Sequence, residues 1–330
     1  MRKFNVFIII GVFLLASPAL HAQDFLQKAK KFLDAGECEK AKMAYEAYKV
    51  ENPGGDAGVE RRIAECLRGG GPTKDTLYIN GGKYVGEKMN GQPNGQGTMT
   101  WESGDKYVGN WEKGKRSGQG TLYSTDKDGR VTYVGNWEND KRSGQGTMTW
   151  ESGDKYVGNW ENDKRSGQGT MTWHDFKING KWYKGSKYVG NWENDKRSGQ
   201  GTMTKSGVEI NGEYWDGGEY VGNWENDKKS GKGTYTWESG DKYEGNWEKD
   251  ERSGYGTYTW KSSGNKYVGD FKNGKRSGQG TYYWANGDVD RGTWVNGKRE
   301  GTFTRTTSSG QKYSATYSKD EMTKKWRKKS

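Results

Sequence analysis

The stretch YVGNWENDKRSGQGTMTWESGDK, residues 133–155, decides the fold because the chain copies it. Its first eighteen residues return unchanged at residues 156–173. Self-similarity at a fixed period is the signature of a repeat protein, in which each unit buries its apolar face against its neighbours. The repeat therefore has to be interpreted before any single residue.

Within the unit, apolar or small residues alternate with polar ones, as in a half-buried strand. Tyr133, Gly135 and Trp137 face one side, and the residues between them face the other. A turn rich in Asn and Asp follows, and the alternation resumes from Gly144 to Trp150. This predicts an antiparallel hairpin whose rings lie over cross-strand glycines. One hairpin alone is marginal, so we expect a long meandering sheet with one aromatic and one polar face.

Eight units begin at a tyrosine, and a degenerate ninth lies near Asp290. The starting residues are Tyr84, Tyr107, Tyr133, Tyr156, Tyr188, Tyr220, Tyr243 and Tyr267. The shared motif is Tyr-x-Gly-x-Trp/Phe followed by Gly-x-Gly, as in Tyr107, Gly109, Trp111, Gly118 and Gly120. In this motif the chain resembles the MORN (membrane occupation and recognition nexus) repeat family over about residues 84–303. The resemblance implies a mainly β fold, an elongated antiparallel meander of stacked hairpins, that associates with proteins or membranes.

The sequence departs from the family pattern in its first turn and at its ends. Many family members carry Asn-Gly in this turn, where five units here have Asp: Asp140, Asp163, Asp195, Asp227 and Asp250. Asp adopts a left-handed conformation less readily than Gly, though better than most residues. Lys88 replaces the first unit's Trp or Phe, and residues 291–294 lack a leading Tyr, as expected for terminal units.

Residues 1–22 resemble a secretory signal peptide, because Arg2 and Lys3 precede an apolar core. Cleavage after Ala19 and cleavage after Ala22 both fit this pattern. A membrane anchor is the competing interpretation, but the unbroken apolar run is shorter than the ~20 residues that a span requires. We therefore expect export, with a periplasmic, envelope-associated or extracellular location.

Residues 24–68 have helical spacing and resemble a tetratricopeptide helical hairpin, with a third helix predicted over residues 57–67. The matching positions are Phe25, Ala29, Phe32, Gly36, Ala41, Tyr45 and Pro53. Cys38 and Cys66 both lie in this segment, and in an exported protein such a pair most often forms a disulfide. A pair of buried free thiols is the alternative. A Gly/Pro linker (69–75), the repeat sheet (76–318) and a basic tail (319–330), solvated or a short helix, complete the predicted domains.

The units that begin at Tyr156 and Tyr188 are 32 residues long, against 23 for the unit at Tyr133. Both insertions centre on Asn-Gly, a strong hairpin-turn signal, and both enter at the same turn, so we expect two hairpins side by side. Insertions in repeats often mark a binding face. The equally weighted alternative is that the hairpins pack on each other or on the helical segment. The binding candidates are Phe176, Ile178, Trp182, Tyr183, Val208, Ile210, Tyr214 and Trp215.

Residues with catalytic or metal-binding chemistry are sparse. His174, the one histidine of the exported form, lies between Trp173 and Asp175 and is expected as an exposed loop residue. The chain has too few His and Cys residues for a zinc site. Residues 126–129 resemble the start of a calcium-binding loop, but the remaining ligands of such a loop are missing. The repeated acids lie beside Lys and Arg, which indicates a solvated and self-compensated rim. We therefore predict neither an enzyme nor a metal or cofactor site.

Composition separates the remaining functions. The chain of 330 residues has a net charge of +11, but this charge is spread over many near-neutral units and forms no concentrated basic patch. Export also makes nucleic acid an unsuitable partner. We predict a non-enzymatic exported scaffold that binds a protein partner. Two alternatives stay open: peripheral binding to an anionic membrane surface through the basic tail and exposed aromatic residues, and glycan binding on exposed Trp and Tyr. The glycan alternative requires that the repeated rings face solvent.

Overall fold

The computed structural model describes residues 18–34, 38–67, 73–127, 129–210 and 213–328. Most of the predicted signal peptide, residues 1–22, lies outside this description. Within the described parts, no helix combines the length and the apolar character that a membrane span needs. The chain divides into two compact units, Met1–Ser117 and Gly118–Ser330, and the boundary falls inside a strand.

The described residues form three helices and 25 strands. The helices are Pro18–Asp34 (α1), Cys38–Glu51 (α2) and Ala57–Glu65 (α3). The strands are Thr73–Ile79 (β1), Gly82–Met89 (β2), Gln92–Trp101 (β3), Lys106–Glu112 (β4), Lys115–Asp126 (β5), Gly129–Glu138 (β6), Lys141–Trp150 (β7), Lys155–Glu161 (β8), Lys164–Thr172 (β9), Phe176–Ile178 (β10), Lys181–Tyr183 (β11), Lys187–Glu193 (β12), Lys196–Lys205 (β13), Val208–Ile210 (β14), Glu213–Trp215 (β15), Gly218–Glu225 (β16), Lys228–Trp237 (β17), Lys242–Glu248 (β18), Glu251–Thr259 (β19), Lys266–Lys272 (β20), Lys275–Tyr283 (β21), Val289–Val295 (β22), Lys298–Thr306 (β23), Lys312–Ser318 (β24) and Glu321–Lys328 (β25).

The helices pack around a small apolar core that includes Ala29, Leu33 and Ile63. Asp56 caps the start of α3, where its carboxylate accepts hydrogen bonds from two main-chain N–H groups. Cys38 and Cys66 form a disulfide that joins α2 to the residue after α3. The predicted helical hairpin and its third helix are therefore present, and the tetratricopeptide character remains a prediction.

Twenty-one strands belong to one antiparallel sheet, which confirms the predicted mainly β meander. Strands β10 and β11 form one separate two-stranded sheet, and β14 and β15 form another. In the second compact unit, β9 pairs directly with β12. The register is the same as that between β7 and β8, with a glycine of one strand opposite a glycine of the other. The insertions thus leave the repeat register unchanged.

The hairpin of β6 and β7, in the unit of residues 133–155, contains a two-residue turn and a bulge. Asn139 and Asp140 have φ angles of +49° and +70°, as a type I′ turn requires. The register of β6 and β7 then shifts next to Gly144, whose φ is +55°. A left-handed glycine of this kind marks a β-bulge, and the alternating sequence pattern did not predict it.

The core of the sheet is a row of edge-to-face rings. Tyr133 is fully buried, and its ring centre lies 5.2 Å from that of Trp137 in its own unit and 5.4 Å from that of Trp160 in the next. Tyr156 repeats this contact with Trp160 and Trp192. Edge-to-face pairs contribute about 0.5–1.5 kcal/mol each beyond the area that they bury. The units are thus joined ring to ring as well as through the main chain.

The sheet extends beyond both predicted limits. It begins at Thr73, inside the expected linker 69–75, and its last strand is Glu321–Lys328. The C-terminal segment was expected as a solvated tail or a short helix. Instead it pairs with β24, and Trp326 lies against Tyr317, with ring centres 6.2 Å apart. The many basic residues of this segment gave no indication of a strand, in which the ring of Trp326 is half-buried.

Candidate functional site

The two insert hairpins lie in contact with each other. Phe176 pairs with Tyr183 across the first hairpin, and their rings stack with centres 5.7 Å apart. The buried Tyr183 donates its hydroxyl to the main-chain carbonyl of Glu209 in the second hairpin, at 3.3 Å. Tyr183, one of the predicted binding candidates, therefore joins the two insert hairpins.

The other candidates are placed differently. Trp182 is 67% exposed and Ile210 is 41% exposed. Phe176, Ile178 and Val208 are half-buried. The side chains of Tyr214 and Trp215 lie outside the described residues, although their main chain forms β15. Of the described candidates, Trp182 offers the largest ring to an external partner.

A cavity of about 710 Å³ lies beside the first hairpin. Its apolar lining comes from Trp173, Phe176, Trp192 and Met203, so the insertion and the regular sheet both contribute. A second cavity of about 320 Å³ shares Met203 and three charged residues with the first. We call the two together the insert groove; the shared charged residues are Arg197, Lys205 and Asp227.

Ion pairs between successive units line the insert groove. Arg165 Nε lies 3.0 Å from the carboxylate of Asp195, and its Nη2 donates to the Asp195 carbonyl at 2.9 Å. The same guanidinium lies 4.3 Å from the ring centre of Trp192. Arg197 repeats the ion pair with Asp227. The turn aspartates, predicted only as weaker substitutes for glycine, are the acceptors of these pairs.

His174 lies on the rim of the insert groove. Its Nδ1 is 2.7 Å from an oxygen of Asp154, and its side chain is 44% exposed, as expected of a loop histidine. Within the described residues no cluster of three or more His, Cys, Asp or Glu side chains could hold a metal ion. The polar chemistry of the groove is therefore that of charge pairing and hydrogen bonding.

A second row of aromatic rings starts at the groove and runs along the sheet. It arises because the Met that most earlier units carry at this position is Tyr in β17, β19 and β21. Alignment of the repeats in the sequence shows this change, which the shared motif does not include. Ring centres along the row are 4.6 to 5.4 Å apart, and the rings are half-buried. The row comprises Tyr235, Trp237, Tyr258, Trp260, Tyr282 and Trp284.

The burial of the repeat rings bears on the glycan alternative. The eight unit-starting tyrosines are at most 1% exposed, and burial raises the pKa of Tyr188 and Tyr243 to about 12. Rings at this depth cannot stack on a sugar, so these tyrosines provide no glycan platform.

Consecutive hairpins, glycine-backed tyrosines and an insertion-lined groove define a β-hairpin repeat protein. The family model of the MORN repeat matches nine segments that together cover more than half of the chain. These are residues 84–106, 107–129, 133–155, 156–176, 188–207, 220–242, 243–264, 267–289 and 291–302. The chain belongs to the MORN repeat family. No match was found among curated proteins.

Proposed function

We propose that the protein is an exported, non-enzymatic scaffold that holds a protein partner in the insert groove. The observation that carries this proposal is the cavity of about 710 Å³ between the first insert hairpin and the sheet. Apolar side chains line this cavity together with charged ones, and a protein interface likewise combines an apolar core with a polar rim. The exposed ring of Trp182 on the same hairpin is the kind of residue that dominates binding energy at interfaces.

Export is part of this proposal and rests on two supports. The sequence of residues 1–22 has the pattern of a signal peptide. The disulfide between Cys38 and Cys66 is of a kind that persists in oxidising compartments. Fractionation of cells that express the full-length chain tests this part independently, since recovery in the cytosol with an unprocessed N-terminus would contradict it.

Capture from the native cell envelope tests partner binding. Purified wild-type protein and the Trp182→Ala variant are immobilised in parallel, and the proteins that each retains are quantified. Tyr255→Ala is the matched control, because Tyr255 is 62% exposed in β19, away from the insertions. We expect Trp182→Ala to lose the partner and Tyr255→Ala to keep it, with both Tm values close to wild type. Equal retention by all three proteins would contradict the first insert hairpin as part of the binding site.

A second candidate function is binding to an anionic membrane surface, which β25 favours. Lys324, Lys325 and Arg327 are exposed on this edge strand, and basic residues near a membrane contribute about 1 kcal/mol each. Basic side chains also protect sheet edges from aggregation, which is the simpler explanation of the same residues. Sedimentation with anionic vesicles at low and high salt separates the two, and lack of binding at low salt rules the membrane out.

A further inference from the structure

Lys229 differs in sequence and contacts from the residues at its position in neighbouring units. Arg142, Arg165 and Arg197 occupy this position in the earlier units, and the Nε of each lies 2.9 to 3.0 Å from the aspartate of the next turn. Asp250 is the aspartate that follows Lys229, and it accepts the Lys229 main-chain N–H at 2.9 Å. In the described part of the chain, no carboxylate lies within ion-pair distance of Lys229 Nζ.

The ammonium of Lys229 lies among aromatic rings. Its Nζ is 4.4 Å from the ring centre of Trp247, 4.9 Å from that of Tyr235 and 5.7 Å from that of Tyr220. Burial lowers the pKa of Lys229 to about 8. A half-buried cation with no carboxylate at ion-pair distance pays part of a desolvation cost that a bound anion would offset.

A cavity of about 320 Å³ opens at Lys229. This volume is near the lower limit of small-molecule pockets. Tyr220, Trp224, Met203 and Tyr235 give it apolar walls, and Lys205 adds a second lysine. Arg197 and Asp227 also line it, but their charges are paired with each other. Asp250 lines it too and accepts the Lys229 main-chain N–H, so the three cations of the lining exceed its two carboxylates by one charge. Apolar walls around two lysines favour an organic anion over inorganic phosphate.

We propose that this cavity binds a small organic acid, with its carboxylate at Lys229 and Lys205 and its apolar body against Tyr235 and Met203. The site requires a lysine rather than an arginine, because an arginine would pair with Asp250 as the earlier units pair with their aspartates. The cavity belongs to the insert groove, but this assignment does not depend on the protein partner proposed above. The ligand is a free acid, and Trp182, whose replacement tests the partner, does not line this cavity.

Calorimetric titration of the full chain with benzoate and with hexanoate tests the proposal, with benzamide as the neutral analogue of benzoate. We expect saturable binding of at least one acid and at least about tenfold weaker binding of benzamide, since benzamide has no carboxylate to form a charged hydrogen bond with the lysines. Lys229→Met should weaken the acid at least about tenfold. Lys228→Met removes the same charge from an exposed neighbour and should leave the affinity within about twofold.

Protection of Lys229 from amine acetylation, mapped by mass spectrometry on the wild-type protein, provides a second readout that needs no variant. Bound acid should slow acetylation of Lys229 and leave that of Lys228 unchanged. The proposal is overturned if neither acid saturates, if benzamide binds as tightly as benzoate, or if both lysine variants lose affinity equally. Tighter binding of an acetyl-capped acidic tetrapeptide than of either free acid would also overturn it, because the carboxylate would then belong to a polypeptide.

Discussion

At the residue scale, the two glycines of each Gly-x-Gly pair serve different purposes. Gly146 lies under the ring of Tyr133, and a Cβ there would overlap the ring. Gly144 has a φ of +55° and forms the bulge. The sequence predicted the first purpose, because period-two alternation sets rings and glycines on one face. It could not predict the second, because a single left-handed residue leaves the alternation of the strand intact.

Two substitutions in one unit separate these purposes. Gly146→Ala should lower the free energy of unfolding by about 1–3 kcal/mol, because the added methyl group has no space beside Tyr133. Gly144→Asn should cost less, since Asn adopts the left-handed conformation more readily than other non-glycine residues. Urea denaturation measures both values. An equal loss from the two variants would show that ring packing does not distinguish the glycines.

The turn aspartates make contacts between repeats that the sequence of one repeat does not reveal. Asp163 keeps a φ of +69° despite its side chain, and its carboxylate lies 3.0 Å from Arg142 Nε in the preceding unit. The turn pattern alone indicated that Asp is a weaker choice than Gly. The compensating contact joins residues of different units and becomes visible only when the hairpins are placed in register.

A double-mutant cycle on Arg142 and Asp163 measures this contact. Arg142→Met and Asp163→Asn should show a coupling energy of about 0.2–1 kcal/mol, the range of partly exposed ion pairs. The coupling should fall as salt is raised. Glu161→Gln in place of Asp163→Asn is the control, because Glu161 is an exposed acid in the same hairpin. Coupling of equal size to Glu161 would contradict a specific pair.

At the element scale, the insert hairpins form sheets of their own, and the strands that flank each insertion pair directly with each other. The Asn-Gly turns were predicted from the sequence, and Asn179 and Gly180 have φ angles of +48° and +82°. The sequence left open whether the hairpins bind a partner or pack on each other. The Tyr183 hydrogen bond to Glu209 shows mutual packing, which leaves Trp182 for the binding role that we propose. Hairpin orientation depends on such long-range contacts, which repeat spacing does not encode.

Removing both hairpins tests this separation of roles. Residues 174–186 and residues 206–218 are each replaced by Glu-Ser-Gly-Asp, the turn of the unit at Tyr133. We expect only a small change in Tm, because β9 already pairs with β12 in the regular register. Capture of the partner should be lost. The control for the replacement is a chain in which residues 261–265, the turn that ends the unit at Tyr243, are replaced by the same four residues. A large fall in Tm in the hairpin deletions but not in this control would show that the hairpins are structural.

At the scale of the whole molecule, the repeats of the second compact unit share one continuous ring stack. In the second unit the contacts run from Trp137 through each repeat to Trp326. The repeat period and the position of this stack were predictable, since each Tyr and Trp recurs at the same place in its unit. The strand at residues 321–328 was not, because its four basic residues gave the pattern of a solvated segment.

The buried tyrosines make the sheet sensitive to alkali. Burial raises the pKa of the phenols of Tyr133, Tyr156 and Tyr220, and raises the pKa of Tyr188 and Tyr243 to about 12. Because the folded state binds the phenol protons of these tyrosines more tightly than the unfolded chain does, their protonation stabilises the folded state. This gain is complete below the ordinary tyrosine pKa of about 10 and is lost as the pH rises from there.

An alkaline titration that follows tyrosinate absorbance and far-ultraviolet circular dichroism together tests the central claim, that the repeated tyrosines are sealed over glycines inside the sheet. We expect part of the tyrosinate signal to be delayed until the β-sheet signal collapses, with both changes at the same pH. Full ionisation of all tyrosines near pH 10, the value for free phenols, while the β-sheet signal stays intact, would contradict the claim.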